Sequence, residues 1–342
     1  MGRIVHLIVR LTAAAVAIAI VLTALLGMRL AAGPISLADF APSVARLLEE
    51  ITPYKYEIGD IWLLWRDWQQ GPLVKVHNAR VIDDKDHVGA DIRELTVGFS
   101  AVAMAQAVVA PTVVQVKGAH ITVDQRKLTA PSEKEGGGLD DVLKGLYGPP
   151  DASHPLSFLQ AVGLSEVAIN VRNASEGGAA VAGDWRLMVS QAELARDDAR
   201  RLIGNAALAL MLGEERADVA VALAPTAQGA LQLDLTLAGL RPAALAVIDP
   251  ALALLVVLDV PLDGGGRMEI DAAGRIGSAT VGIHGKGGSF NLNETVAHAV
   301  GVASPPQRLK VERLALQASF EAVSTRVAVQ ALEIAFEPGT GL

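Results

Sequence analysis

The residues best able to ligate a metal or shuttle a proton are seven histidines: His6, His77, His87, His120, His154, His284 and His298. Their spacing argues against both roles. No two stand four apart as a helical metal site requires, and HExxH does not occur. His77 and His87 flank Asp83, Asp84 and Asp86, which a hairpin could gather round a cation, but VIDDKDHV reads more simply as a polar turn. GxSxG is absent, so a nucleophile elbow has no foothold. The glycine-rich stretches are Gly264–Gly266 and GKGGSF from Gly285 to Phe290. Neither makes a phosphate loop, because Lys286 is followed by Gly287 rather than Ser or Thr and the surroundings read as hairpins. The acidic residues stand singly, with no pair suited to acid and base roles. No catalytic or metal-ligating residue is assigned, no cofactor is expected, and the chain is read as a non-enzyme.

Composition narrows the class further. The 342 residues contain no cysteine, which removes disulfide frameworks and thiol chemistry, and the formal net charge of -8 disfavours nucleic acid. Hydrophobic residues make up 51 % but aromatics only 4 %, a balance that suits a long, thin β structure lined by small aliphatics.

The elements follow from periodicity. Leu11–Met28 is free of charge, and about 20 apolar residues in helix span a hydrocarbon core of about 30 Å. Arg3 and Arg10 precede this run while acidic residues follow it, so the N-terminus is placed in the cytoplasm and the bulk outside. Arg29 can snorkel to the far interface. A cleaved signal peptide, with Leu30-Ala31-Ala32 as a small-residue site, is the rival, although its apolar region is normally shorter. Ser36 is a candidate cap for an amphipathic helix in SLADFAPSVARLLEE. Alternation then predicts strands in YKYEIGDIWLLW, LVKVHNARVID and HVGADIRELTVGF, a short helix at SAVAMAQAVV, and strand again from Pro111. Four regions result: 1–32, tip and membrane helix; 33–125, a first β/helix repeat; 126–155, a flexible insertion; and 156–342, continuing β repeats with a helical interruption at 240–259, divided at Pro250. The last strands read as a hairpin turning near Ala322–Ser324, after which PGTGL ends the chain without a cap. The expected fold is mainly β, an elongated, twisted antiparallel meander, and its last edge awaits either a continuation of the sheet or another chain.

Trp62, Trp65 and Trp68 cluster in DIWLLWRDW. They fit either a membrane interface, which indole favours, or packing against the sheet.

The membrane helix with GPISLADFAPSVARLLEE, YEIGDIWLLW and LVKVHNARVIDDKDHVGADIRELTVGFS resembles the start of the AsmA-like family of bacterial envelope proteins. VVAPTVVQVKGAHITVDQ resembles the completion of that family's first repeat. LAGLRPAALAVIDPALALLVVLDVPLDGGGRMEIDAAGRIGSATVGIHGKGG looks like the helix-then-hairpin module of its large YhdP-type members, so the chain resembles their N-terminal portion. The resemblance implies a bridge-like lipid carrier, anchored by one pass in the inner membrane with its bulk in the periplasm. It would conduct phospholipid passively along an apolar groove and support outer-membrane lipid homeostasis. Residues at alternate strand positions would line that groove: Val74, Val76, Val114 and Val116, then Ile169 and Val171, then Leu231, Leu233 and Leu235. The same residues could equally fill an ordinary β core. The alternative function is a structural or assembly factor that aids outer-membrane proteins through its sheet edge, without lipid cargo.

Overall fold

A computed structural model describes residues 29, 33–51, 54–65, 71–82, 88–124, 151, 154–172, 184–197, 199–227, 229–248, 250–271, 275–292, 307–322 and 326–337. The expected membrane span Leu11–Met28 lies outside the described residues, as do Trp68, His87 and nearly all of 126–155. Among the described residues no helix is long and apolar enough to cross a membrane.

The chain is mainly β. Its first strands are β1 (Ile35–Ser36), β2 (Lys55–Ile58), β3 (Ile61–Leu64), β4 (Leu73–Ile82), β5 (Val88–Phe99) and β6 (Pro111–Asp124). The middle strands are β7 (Ala161–Arg172), β8 (Trp185–Arg196), β9 (Leu202–Leu212), β10 (Glu215–Pro225) and β11 (Leu231–Leu240). The last are β12 (Leu258–Asp259), β13 (Leu262–Ile270), β14 (Ile276–Lys286), β15 (Ser289–Leu292), β16 (Gln307–Glu321) and β17 (Arg326–Phe336).

Helices are few and short. Ala41–Ile51 forms α1, which packs on β2. Ser36, expected to cap it, instead pairs with Trp62 on β3, and the chain reaches α1 through a 3-10 turn at Ala38–Phe40. Ala101–Ala105 forms α2, where the Ser100 hydroxyl accepts from the Ala103 N–H at 3.1 Å and so satisfies one of the orphan donors of the first turn. Two 3-10 pieces, Pro242–Val247 and Pro250–Val257, separate β11 from β12. Proline opens each piece, where its missing N–H leaves no bond unmade.

One ladder of hydrogen-bonded neighbours runs β3, β4, β5, β6, β7, β8, β9, β10, β11, β13, β14, β16, β17. β1 pairs with β3 and β2 with β4 at one margin, while β12 and β15 extend β16. The sheet departs from the expected all-antiparallel meander at one place: β6 and β7 are parallel, Val114 opposite Val162 and Ile121 opposite Ile169. A parallel neighbour requires a crossover of a dozen or more residues. Residues 125–160 supply that length, so the stretch read as an insertion falls within the crossover connection.

Between β4 and β7 the strands share an irregularity. Asn78, Gly118 and Glu166 all have φ between 54 and 64°, on neighbouring strands at neighbouring register positions. The ladders from β4 to β7 keep their register past these residues, so the strands turn over together, and the side chains of Val116 and Ala119 join one cluster although three apart. At Gly118 a Cβ would also stand 2.8 Å from the Arg93 guanidinium, which crosses that glycine to meet Glu166 at 3.0 Å.

Candidate functional site: the apolar face

Residues directly opposite in a ladder share a face, so the register decides which side chains meet. One row across the sheet reads Leu63, Val74, Val97, Val114, Val162, Leu194, Gly204, Leu223, Leu233, Met268, Ala279, Phe320, Val327. The next row on that face reads Ile61, Val76, Leu95, Val116, Leu164, Ala192, Ala206, Val221, Leu235, Gly266, Val281, Ala318, Val329. Neither contains a polar side chain. At about 4.8 Å between neighbouring strands, each row is roughly 58 Å long when followed across the sheet.

The row between these two belongs to the opposite face and has the opposite chemistry. It begins at Trp62 and passes through Lys75, Thr96, Gln115, Glu193, Asn205, Asp234, Arg267, Thr280 and Ser319, with small residues between. Ion pairs between neighbouring strands lie on this face: Lys75 to Glu94 at 2.9 Å, Arg80 to Asp91 at 3.2 Å and Arg267 to Asp234 at 2.7 Å. Asp234 accepts from both Arg267 and Gln232, and these bonds hold its carboxyl below the ordinary carboxylate range. Asp234 in turn raises the Arg267 guanidinium. Each exposed pair adds little stability, but together they make this a water-facing surface.

The nine sequence-chosen residues fall in three groups. Val74, Val114 and Leu233 share the first row, and Val76, Val116 and Leu235 the second. Ile169 and Val171 lie further along β7, in rows with Leu187 and Trp185, and Leu231 sits two residues before Leu233. Trp62 points away from the apolar face, in register with Lys75. Trp65 follows β3 and is half-buried.

The apolar face changes character along its length. Around β6, β7 and β8 it packs on itself: Ala119, Val167 and Val189 are buried and touch Ile92, Val116, Ile121, Leu164, Ile169 and Ala192. The left-handed residues Asn78, Gly118 and Glu166 lie beside this stretch, where Val116 and Ala119 turn to one side. From β11 onward the face opens, with Leu235 and Val281 each 38 % exposed and Val329 61 % exposed. One margin there is roofed. Val260, arriving from the 3-10 pieces, is fully buried over Gly285 and packs with Leu262, Val311 and Leu314.

Strand alternation would have found Leu164, Val221 and Val281 as readily as the nine. Gly264 and Gly266 had no such signal. They read as hairpin residues but lie inside β13, where strand neighbours press against them. Gly266 leaves a hollow of about 290 Å³ on the apolar face, lined chiefly by Leu233, Leu235, Met268, Ala279, Val281 and Phe320. Among the described residues no three His, Asp or Glu side chains are placed to hold a metal ion.

The chain matches no family model, and comparison with curated proteins and with solved structures finds no match either.

Proposed function

We propose that this chain is an envelope protein, held in the inner membrane by Leu11–Met28, whose apolar sheet face forms a groove that carries phospholipid acyl chains between membranes. The observation that carries the reading is the pair of uninterrupted apolar rows backed by a polar face. A sheet that only closed a compact core would have that face covered. Here it stays accessible from β11 to β17, and long accessible apolar surfaces mark interaction sites. Head groups would remain near water at the margins, and the process would involve no covalent step.

Magnitudes favour conduction over storage. Full burial of a methylene is worth about 0.8 kcal/mol, so one resting half-covered on an open face gains about 0.4 kcal/mol. Ten of them give about 4 kcal/mol, a dissociation constant near 1 mM before ordering costs are subtracted. A lipid held that weakly can move along the rows.

Photocrosslinkers placed at Val281 and Leu233 test the reading in membranes, with Thr280 and Asp234 as neighbours on the opposite face. Lipid adducts are expected from the first pair and not from the second. Equal yields from both faces, or none from either, would refute the proposal.

A second reading has its own observation. β17 is exposed along most of its length, and among the described residues no strand pairs with its outer edge. An assembly factor working through that edge would give strand-to-strand protein crosslinks from Ala328 and Ala331, and no lipid adducts.

A further inference from the structure

We infer that the glycine-floored hollow along β13 seats one linear alkyl chain of a lipid, lying parallel to the strand and across the rows. The inference rests on the lipid-carrying reading and adds to it a place, an orientation and a stoichiometry.

The walls set the width. Leu233 and Leu235 stand on β11, and Ala279 and Val281 stand on β14, with β13 between them. Two strand steps separate the wall backbones by about 10 Å. Side chains leaning in from both sides reduce this to the breadth of a single alkyl chain, narrower than fused sterol rings or two chains abreast.

The floor sets the depth. Gly266 occupies a position in the second apolar row where every other strand presents a side chain. A Cβ at residue 266 would stand 2.9 Å from the Thr280 carbonyl oxygen. Close backbone approach therefore keeps this position bare. The hollow of about 290 Å³ is at the small end of ligand pockets, about 300–1,000 Å³, and suits a segment of one chain. Met268 and Phe320 close its end with side chains that adapt to a flexible apolar guest. Elsewhere the face is packed on itself, as at Val167 and Val189, or its glycines are covered, Gly204 by the Leu194 side chain and Gly285 by Val260, so this slot is where a moving chain would pause.

The test uses the full chain in phosphatidylcholine vesicles carrying a phosphatidylcholine with a diazirine near the end of one acyl chain. Labelled residues are mapped by mass spectrometry. Labels are expected to concentrate on Leu235, Met268, Ala279, Val281 and Phe320, and a diazirine sterol should label these at least tenfold less. Ala279→Trp, which fills the slot without touching a glycine, should cut labelling there at least tenfold while labelling at Val329 stays within twofold. Ala318→Trp should act likewise from the β16 side.

Labels spread evenly along the rows, or sterol labelling equal to that by the acyl probe, would overturn the slot and leave the lipid-carrying reading standing. No labelling anywhere on the apolar face would overturn both. The distribution on the unaltered chain is decisive even where a tryptophan variant fails to fold.

Discussion

At the scale of single residues, the two groups on the apolar face separate by what surrounds them. Val171 is 1 % exposed and Leu235 is 38 % exposed. Val171→Ala leaves a cavity and is expected to cost about 2 kcal/mol. Leu235→Ala removes more atoms but leaves no enclosed void, so about 1 kcal/mol is expected. Urea unfolding of the two variants checks this order, and lipid crosslinking from Leu233 should fall only in Leu235→Ala. The polar face offers a second test. Asp234 has its pKa lowered from the ordinary 3.8 by hydrogen bonds from Arg267 and Gln232. A depressed folded-state value means that its stabilising contribution is present above the unfolded value and is lost as pH falls through the folded one. Asp234→Asn should therefore lower the melting temperature slightly near neutrality, where the carboxylate's contribution is present, and approach the parent below about pH 4, with a small amplitude because the group is exposed. Melting followed by circular dichroism across the acid range reads this directly.

At the scale of elements, alternate residues on one strand belong to different surfaces. Gln115 pairs with Thr96 and Gly163, whereas Val116 pairs with Leu95 and Leu164. Val116→Arg places a charge in the packed stretch beside Val167 and is expected to destabilise by about 2–3 kcal/mol. Gln115→Arg joins a water-facing row and should stay within about 0.5 kcal/mol of the parent. Equal effects, measured by chemical denaturation, would contradict the register. The strands themselves were legible, because β-branched residues alternating with polar ones specify an extended half-buried segment. The left-handed residues Asn78 and Glu166 were not, since neither residue type demands that backbone. Ser36 was misread for a related reason. A hydroxyl before a helical pattern serves as a cap only if the chain enters the helix there, and pairing with β3 delays entry to Ala41.

At the scale of the whole molecule, one sheet carries two surfaces and a bare edge. Val327 and Leu332 on β17 are 71 % and 64 % exposed. An exposed strand bearing apolar side chains offers unpaired backbone groups to any strand nearby. Self-association that rises with protein concentration is expected, and sedimentation velocity measures it. Val329→Lys should weaken association several-fold while shifting the melting temperature by less than about 2 °C, because the residue is already in solvent. Added salt should not dissolve the association, as it would an interface of ion pairs.

Local chemistry settled much of this protein before any contact was known. Alternation dictated strands, and prolines at 242 and 250 opened separate helical pieces. Val74, Val114 and Leu233 each read as one face of a strand. That they stand in a single row was decided only by strand order and register, which depend on pairings between residues far apart in the chain. The parallel joining of β6 to β7 is of that kind, since residues 125–160 carry no pattern that names the partner of the strand they precede. The contrast between a packed stretch at Val167 and an accessible one at Leu235 is also tertiary. The same aliphatic side chains serve both, and what differs is whether neighbouring strands bring other side chains against them. Gly266 shows the limit most plainly: a missing side chain becomes a hollow only when Leu235 and Val281 stand on either side.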